Sequence, residues 1–397
     1  MSAWLPLLIT LVIQAMVSMA LLTLPVMAPV VAEALKVSPA LVGMYVSVTY
    51  AGAMTASLLG GATVKRLGAI RVSQWGLLLC AVGLLLCMLP WLPAMVLGAV
   101  CIGLGYGPIT PASSHLLART TPKDQMSLVF SIKQTGVPVG SMLAGAVVPS
   151  LLLLVGWQFS MAAVAAVCVA CALVSQPLRR ELDQDRDAGH HVHLGSLIQP
   201  IRLVLAHKAL TTMAACSFMF SMVQMSLTTY LVTYLHDDLL FGLVAAGLFL
   251  SATQMGGIGG RILWGYVADR WLGARRMLLV LAGLMVSGAL ATAWLTADTP
   301  RAWMVLVLVV FGASAIGWNG VYLAEVARRA PQGMASLATG GTLAFTFLGV
   351  VLGPPVFGLL STVFGTYRAG FVALMVVATC SAGVLWWSQR QQAVSAA

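Results

Sequence analysis

This sequence of 397 residues is 60% hydrophobic and only 8% charged, with a formal net charge of +10. A soluble protein usually carries about 25% charged residues, so most of this surface cannot face water. The basic excess would suit a nucleic-acid binder, but its placement excludes one, because the lysines and arginines are scattered through short loops between apolar stretches.

Twelve apolar stretches follow one another, near the roughly 20 residues that a helix needs to cross a hydrocarbon core of about 30 Å. They fall at 7–32, 40–62, 73–93, 95–118, 126–152 and 157–178, then at 209–235, 241–266, 275–297, 301–325, 335–362 and 367–388. Membrane-barrel strands need only about 9–11 alternating residues. The fold class expected is an all-α membrane protein of twelve transmembrane helices, arranged as two six-helix bundles. Residues 1–178 would form the first bundle, 179–208 a cytoplasmic linker and 209–397 the second. No basic residue precedes the first stretch, which is too long for a signal-peptide core and is read as a retained helix.

Polar residues inside the first six spans are few. The first span holds Gln14 and Ser18 and meets Glu33 at its outer end; the second holds Tyr45 and Tyr50. The loop that follows reads Gly61-Ala-Thr-Val-Lys65-Arg66-Leu-Gly68. At the end of the fourth span His115 precedes Arg119 by one helical turn. The fifth contains Ser131-Ile-Lys133-Gln134-Thr135-Gly136, with Lys133 roughly 10 Å from the helix end at 1.5 Å per residue. Ionisable groups at such depth are expensive and usually functional. An ammonium beside an amide and a hydroxyl suits an anionic substrate group; the structural alternative is a lysine that snorkels to the interface. Gly136, Pro138, Gly140 and Gly145 then permit close helix approach and bending. The linker carries the charge-dense run 179–187 and three histidines, His190, His191 and His193. Those imidazoles have the composition of a metal site, but a flexible loop leaves them solvated, and no metal or other cofactor is expected.

In the second half the seventh span offers Gln224, Thr228, Thr229, Tyr230 and Tyr234. The eighth has Gln254 and the run Gly256-Gly-Ile-Gly-Gly260-Arg261. These glycines suit helix packing, since no strand precedes them and no Gly-x-x-x-x-Gly-Lys-Ser/Thr motif is present; energy must come from a gradient. The loop after that span reads Gly265-Tyr-Val-Ala-Asp269-Arg270-Trp-Leu-Gly273. Helices ten and eleven add Trp318, Asn319, Tyr322, Glu325 and Thr342. His115 and Glu325 are the candidates to carry a coupling proton; for Glu325 the alternative is pairing with Arg328, Arg329 or Arg261, and for His115 a polar role in helix packing. All seven cysteines lie in apolar spans. Cys168 and Cys171 have the spacing of a redox or zinc pair but no further ligands nearby, and are read as packing residues.

The halves repeat each other. Arg119-Thr-Thr-Pro122 returns 209 positions later as Arg328-Arg-Ala-Pro331, and at the same spacing Ser127 matches Ser336 and Gly140 matches Gly349; the two glycine-bounded loops are 204 apart. Such a duplication marks parallel repeats of a six-helix unit, the build of a secondary transporter. With these loops the chain resembles the major facilitator superfamily over essentially its whole length. That family's loop signature is Gly, three residues, Asp-Arg, then Gly and basic residues. The second copy keeps Gly265, Asp269, Arg270, Arg275 and Arg276, with one residue inserted before Gly273. The first keeps Gly61, Arg66 and Gly68 but has Lys65 where the family usually has Asp. The resemblance implies a central cavity, alternating access and a charge cluster, including Arg261, that gates it. Lys133, Gln134, Gln14, Tyr50, Gln224, Tyr230, Gln254, Asn319 and Tyr322 are the substrate-binding candidates.

Sixteen of the 21 basic residues lie in loops returned to one side by an even number of crossings, and only Lys36, Arg301 and Arg368 lie in loops opposite. The positive-inside rule puts both termini in the cytoplasm of a bacterial-type inner membrane. The expected function is secondary active transport of a small organic anion, such as a carboxylate, with protons, by a monomer in the lipid bilayer. The alternatives are a proton-coupled efflux antiporter of amphipathic compounds, a non-transporting sensor and a membrane-embedded enzyme. The last is opposed by the absence of His-Glu-x-x-His or any clustered catalytic set.

Overall fold

The computed structural model describes residues 4–121, 126–187, 198–332 and 334–396, and among these there is no strand. A hydrocarbon environment demands this, because only helices and closed barrels satisfy every backbone polar group internally. In chain order the helices are α1 Trp4–Val26, α2 Ala28–Leu35, α3 Val42–Leu67, α4 Ala69–Cys87, α5 Leu92–Tyr106, α6 Ile109–Thr120, α7 Met126–Gln134, α8 Gly136–Val174 and α9 Arg179–Leu182. They continue as α10 Gln199–Ala206, α11 Lys208–Thr233, α12 Leu243–Val267, α13 Ala274–Ala293, α14 Arg301–Gly317, α15 Asn319–Arg329, α16 Ala335–Phe364 and α17 Tyr367–Ala396.

Ten helical runs among the described residues are long and apolar enough to cross a membrane, and an eleventh crossing arises if the pair Ala28–Leu35 and Pro39–Ser57, bent by 116°, is one span. The run Ile132–Val174 has 43 residues. At 1.5 Å per residue it would measure about 65 Å, twice a hydrocarbon core. Gly156 breaks it with φ 82° and ψ 168°, a backbone state that residues with a Cβ avoid. Two spans meeting at this glycine make the set consistent with twelve crossings. The fifth and sixth predicted stretches thus touch with almost no loop.

The stretch between the halves is not a bare linker. Short α9 ends it on one side, and α10 packs on α16 so closely that a Cβ on Gly341 would strike the Pro200 carbonyl. His190, His191 and His193 lie outside the described residues, as does Lys123.

The chain divides into two compact units, Met1–His193 with Leu243–Ser251, and Leu194–Gly242 with Ala252–Ala397. In the first unit α1 lies parallel to α7 and α8. Leu7 clusters with Val129, while Cβ atoms built on Gly136 and Gly140 would press on Gln14 and Ser18. These three pairs share one spacing of 122 positions, the signature of a constant parallel register. Gly103 of α5 sits against the Thr49 carbonyl of α3, an approach that only a residue without Cβ allows.

The second unit repeats both contacts. Gly349 of α16 meets the Phe218 carbonyl and Ser221 of α11, and Gly312 of α14 meets the Thr253 carbonyl of α12. Thr49 to Thr253 is 204 positions and Gly103 to Gly312 is 209, the spacings already visible between the loops and between the helix ends. The duplication is therefore one of helix packing as well as of sequence. The residue inserted before Gly273 is absorbed by a π turn at Ala268–Leu272. Gly273 N–H bonds the Ala268 carbonyl five residues back, where Gly68 N–H bonds the Val64 carbonyl four back.

Candidate functional site

Three helix breaks position the polar groups. Gly107-Pro108 separates α5 from α6, Thr135 separates α7 from α8, and Trp318 separates α14 from α15. Discontinuous helices at membrane depth free backbone and side-chain polar groups toward bound solutes. In the first unit the breaks of α5–α6 and α7–α8 flank one polar seat. Lys133 is 1% exposed and stands one turn before Gly136, on the side that meets α1 at Gln14. Gln14 is fully buried; its Oε1 accepts from the Thr110 hydroxyl at 3.3 Å, and among the described residues its Nε2 has no hydrogen-bond partner. Ser18, one turn further along α1, is also buried, and Gln134 is half-buried. Gln134 adjoins Lys133 in the chain; the structure sets Gln14 against Gly136, one turn after Lys133, and joins it to Thr110, which sequence reasoning passed over. Its signal was its place just after a Gly-Pro break. Tyr50 packs instead edge-on against Tyr106, with ring centroids 5.8 Å apart.

The second unit holds the repeat-related seat without the charge. At the spacing that carries Gly140 onto Gly349, Lys133 falls on Thr342; at the spacing that carries Ser18 onto Ser221, Gln14 falls on Ser217. Both are fully buried, and the Tyr322 hydroxyl lies near the two of them. Trp318 ties this seat together, donating to Gln224 Oε1 at 2.9 Å and packing edge-on against Tyr322 and Phe220. Gln254 donates to Thr228 at 3.4 Å. Asn319 donates to the nearby Ile316 carbonyl at 3.4 Å, and Arg261 Nε reaches the same carbonyl at 3.3 Å. Tyr230 stands apart from this group, stacked on Phe357 at 4.5 Å.

The charged helix ends form a third arrangement. In the second unit Asp269 of the complete loop copy faces Arg328 at 3.5 Å, and Glu325 accepts from Arg329 at 2.9 Å. The segment read as a loop is helical: Gly265 lies in the last turn of α12 and Arg270 in the π turn that follows. In the first unit the position matching Asp269 is Lys65 and the position matching Arg328 is Arg119. Asp185, from the end of the first repeat, pairs with Arg119 and bonds His115 at 2.6 Å. An acid from another segment therefore stands where the loop lacks one. Burial by itself raises the Asp185 carboxyl, but the His115 hydrogen bond and the Arg119 charge together hold it below its ordinary value. Asp183 caps the start of α4, accepting from Ile70 N–H at 2.8 Å and Arg71 N–H at 3.0 Å. Gly68, with φ 94°, leaves room for that carboxylate, while Gly61 and Arg66 are exposed. Asp187 N–H closes the set on the Lys65 carbonyl at 2.8 Å. Sequence reading saw these aspartates only as a charged run.

Among the described residues no three His, Cys, Asp or Glu side chains gather as metal ligands. The benzoate transport protein of Acinetobacter baylyi is 24% identical over 70% of this chain and 64% of its own length, so this chain spans a little under two thirds of that relative. The gentisate transporter of Corynebacterium glutamicum is 25% identical over 81% of this chain and 73% of its own. A crystal structure of a bacterial homologue of the human lysosomal transporter Spinster superposes with a TM-score of 0.78 at 15% identity, covering 97% of this chain and 96% of that one. The sequence profile of the Major Facilitator Superfamily matches residues 7–343. The chain belongs to the Major Facilitator Superfamily, a superfamily of multi-pass membrane transporters.

Proposed function

We propose that this protein is a proton-coupled carrier of a small organic anion, an aromatic carboxylate in particular, working as a monomer by alternating access in a bacterial inner membrane with both termini inside. The observation that carries this reading is the seat in the first unit. A buried lysine on α7 stands one turn before the glycine that presses on the buried Gln14 of α1, and the positive charge and N–H groups these two side chains carry suit a carboxylate. A carboxylate supplies two acceptor oxygens to such donors. The names of the two bacterial relatives, which refer to benzoate and gentisate, support the same substrate class. His115 and Glu325 are the titratable groups proposed to carry the proton, and the pairs Asp269–Arg328 and Asp185–Arg119 to hold the gate in one state.

The test compares binding of benzoate and of benzamide, its neutral analogue, to purified wild-type and Lys133→Gln protein. Removing the charge should weaken benzoate binding by about tenfold or more, since charged hydrogen bonds contribute roughly 1.5–3 kcal/mol, and should leave benzamide binding nearly unchanged. Equal losses for both ligands, or none for either, would assign Lys133 to the fold and remove the anion reading.

A further inference from the structure

The second unit carries more positive charge at its helix ends than its own carboxylates balance. A cavity of about 520 Å³ opens where the start of α13, the end of α15 and the end of α17 meet, lined by Arg275, Arg276, Arg328, Arg329 and Arg390 around Glu325. Glu325 is buried and engaged with Arg329. Asp269 reaches Arg328, but both side chains are largely exposed. The start of α13 adds to the field, because the N–H groups of a helix's first turn carry partial positive charge, and Gly273, its N-cap, has no side chain to offer them.

The first unit shows what such a place holds. The matching helix start is α4, capped by Gly68 at φ 94° and ψ 152°, against φ 75° and ψ 150° at Gly273. There the Asp183 carboxylate sits on Ile70 and Arg71 N–H, the positions that correspond to Arg275 and Arg276, and it fills the space a Cβ on Gly68 would need. A Cβ on Gly273 would meet nothing within 4 Å among the described residues. No acidic residue stands between Glu325 and Arg390, and α17 brings Arg390 to this cavity where the end of the first repeat brings Asp183 and Asp185 to α4 and α6. Arg390 lies 3.9 Å over the Trp386 ring, and Trp386 and Trp387 are about half exposed. Paired tryptophans at a helix end belong at the headgroup level of a bilayer.

We propose that this cavity binds a phosphate-bearing anion, the headgroup of an anionic phospholipid or a soluble phosphate, on the start of α13 between Arg275, Arg276 and Arg390, in the place Asp183 occupies in the first unit. Guanidinium groups match phosphate oxygens in pairs, and basic pockets at helix ends recruit anionic headgroups. Glu325 and Arg328 of the proposed transport machinery line the same cavity, but anion binding is measured without transport, so either reading can fail while the other stands.

The experiment uses the purified full chain in neutral detergent, titrated separately with short-chain phosphatidylglycerol, phosphatidylcholine of equal chain length and inorganic phosphate, with affinity and melting temperature as readouts. Two variants accompany the wild type. Arg276→Gln with Arg390→Gln removes charge from the wall, and Gln389→Glu places a carboxylate on the same wall, giving the cavity an occupant of its own. The expected result is phosphatidylglycerol binding about tenfold tighter than phosphatidylcholine, weakened about tenfold or more in both variants, with Gln389→Glu melting no lower than wild type without lipid. A response to inorganic phosphate alone that both variants abolish upholds the site and makes its occupant a soluble anion. Equal binding of the two lipids with no phosphate response, or any response that survives both variants, overturns the proposal.

Discussion

At the scale of single residues, the two halves differ most where their repeats coincide. Lys133 and Gln14 in one unit become Thr342 and Ser217 in the other, so only the first seat has a fixed charge to offer. Gln14→Ala should weaken benzoate binding by a few-fold, less than Lys133→Gln, because it removes one neutral donor contributing about 1 kcal/mol; calorimetric titration of both variants checks the order. Asp185 makes a second residue-scale prediction. A carboxyl held low in the native state contributes stability that is present above its unfolded pKa of about 3.9 and is lost as pH falls below it. Asp185→Asn should therefore cost about 1 kcal/mol at pH 7, and the gap to wild type should close below about pH 4. Burial raises the neighbouring Asp183 carboxyl, first and foremost, so the comparison between the two proteins is the informative quantity. Melting curves in detergent from pH 3.5 to 7 read it, and a gap of constant size would remove the ion pair from the explanation. Lys133 was legible as an intramembrane charge flanked by polar residues. Asp185 was not, because nothing in a charged run tells which aspartate reaches back 70 positions to His115.

At the scale of elements, glycine contacts between helices set the packing. Gly103 and Gly312 press on the carbonyls of Thr49 and Thr253, whereas Gly259 and Gly283 have nothing within 4 Å of a built Cβ. Gly103→Ala and Gly312→Ala should each destabilise by about 1–3 kcal/mol through overpacking. Gly259→Ala and Gly283→Ala should be neutral or slightly stabilising, since alanine restricts the unfolded chain without meeting a neighbour. Thermal unfolding of the four variants separates the sets; equal shifts would mean that these close approaches do not hold the helices. Most spans were readable from apolar length, but the breaks were not. Hydropathy does not register that Gly107-Pro108, Thr135 and Trp318 interrupt helices, nor that Gly156 joins two spans almost without a loop. The π turn before Gly273 was visible only as one residue too many.

At the scale of the whole molecule, the repeat, the charge asymmetry and the family agree on a duplicated carrier, and the orientation remains a prediction. On a cysteine-free background Gln184→Cys should react with impermeant reagents only from the cytoplasm and Asp298→Cys only from outside; the reverse pattern would invert the topology. The class was legible because composition, length and duplication all constrain it. The substrate was not, because amides and hydroxyls serve as interhelical contacts as readily as ligands. The most direct measurement is uptake of radiolabelled gentisate, whose extra hydroxyls slow passive leakage, into proteoliposomes with an alkaline interior, with protein-free liposomes subtracted. Proton-coupled anion carriage predicts accumulation above the equilibrium level that collapses when the pH gradient is dissipated and is lost in Lys133→Gln. Uptake that ignores the gradient, or that Lys133→Gln supports as well as wild type, would contradict it.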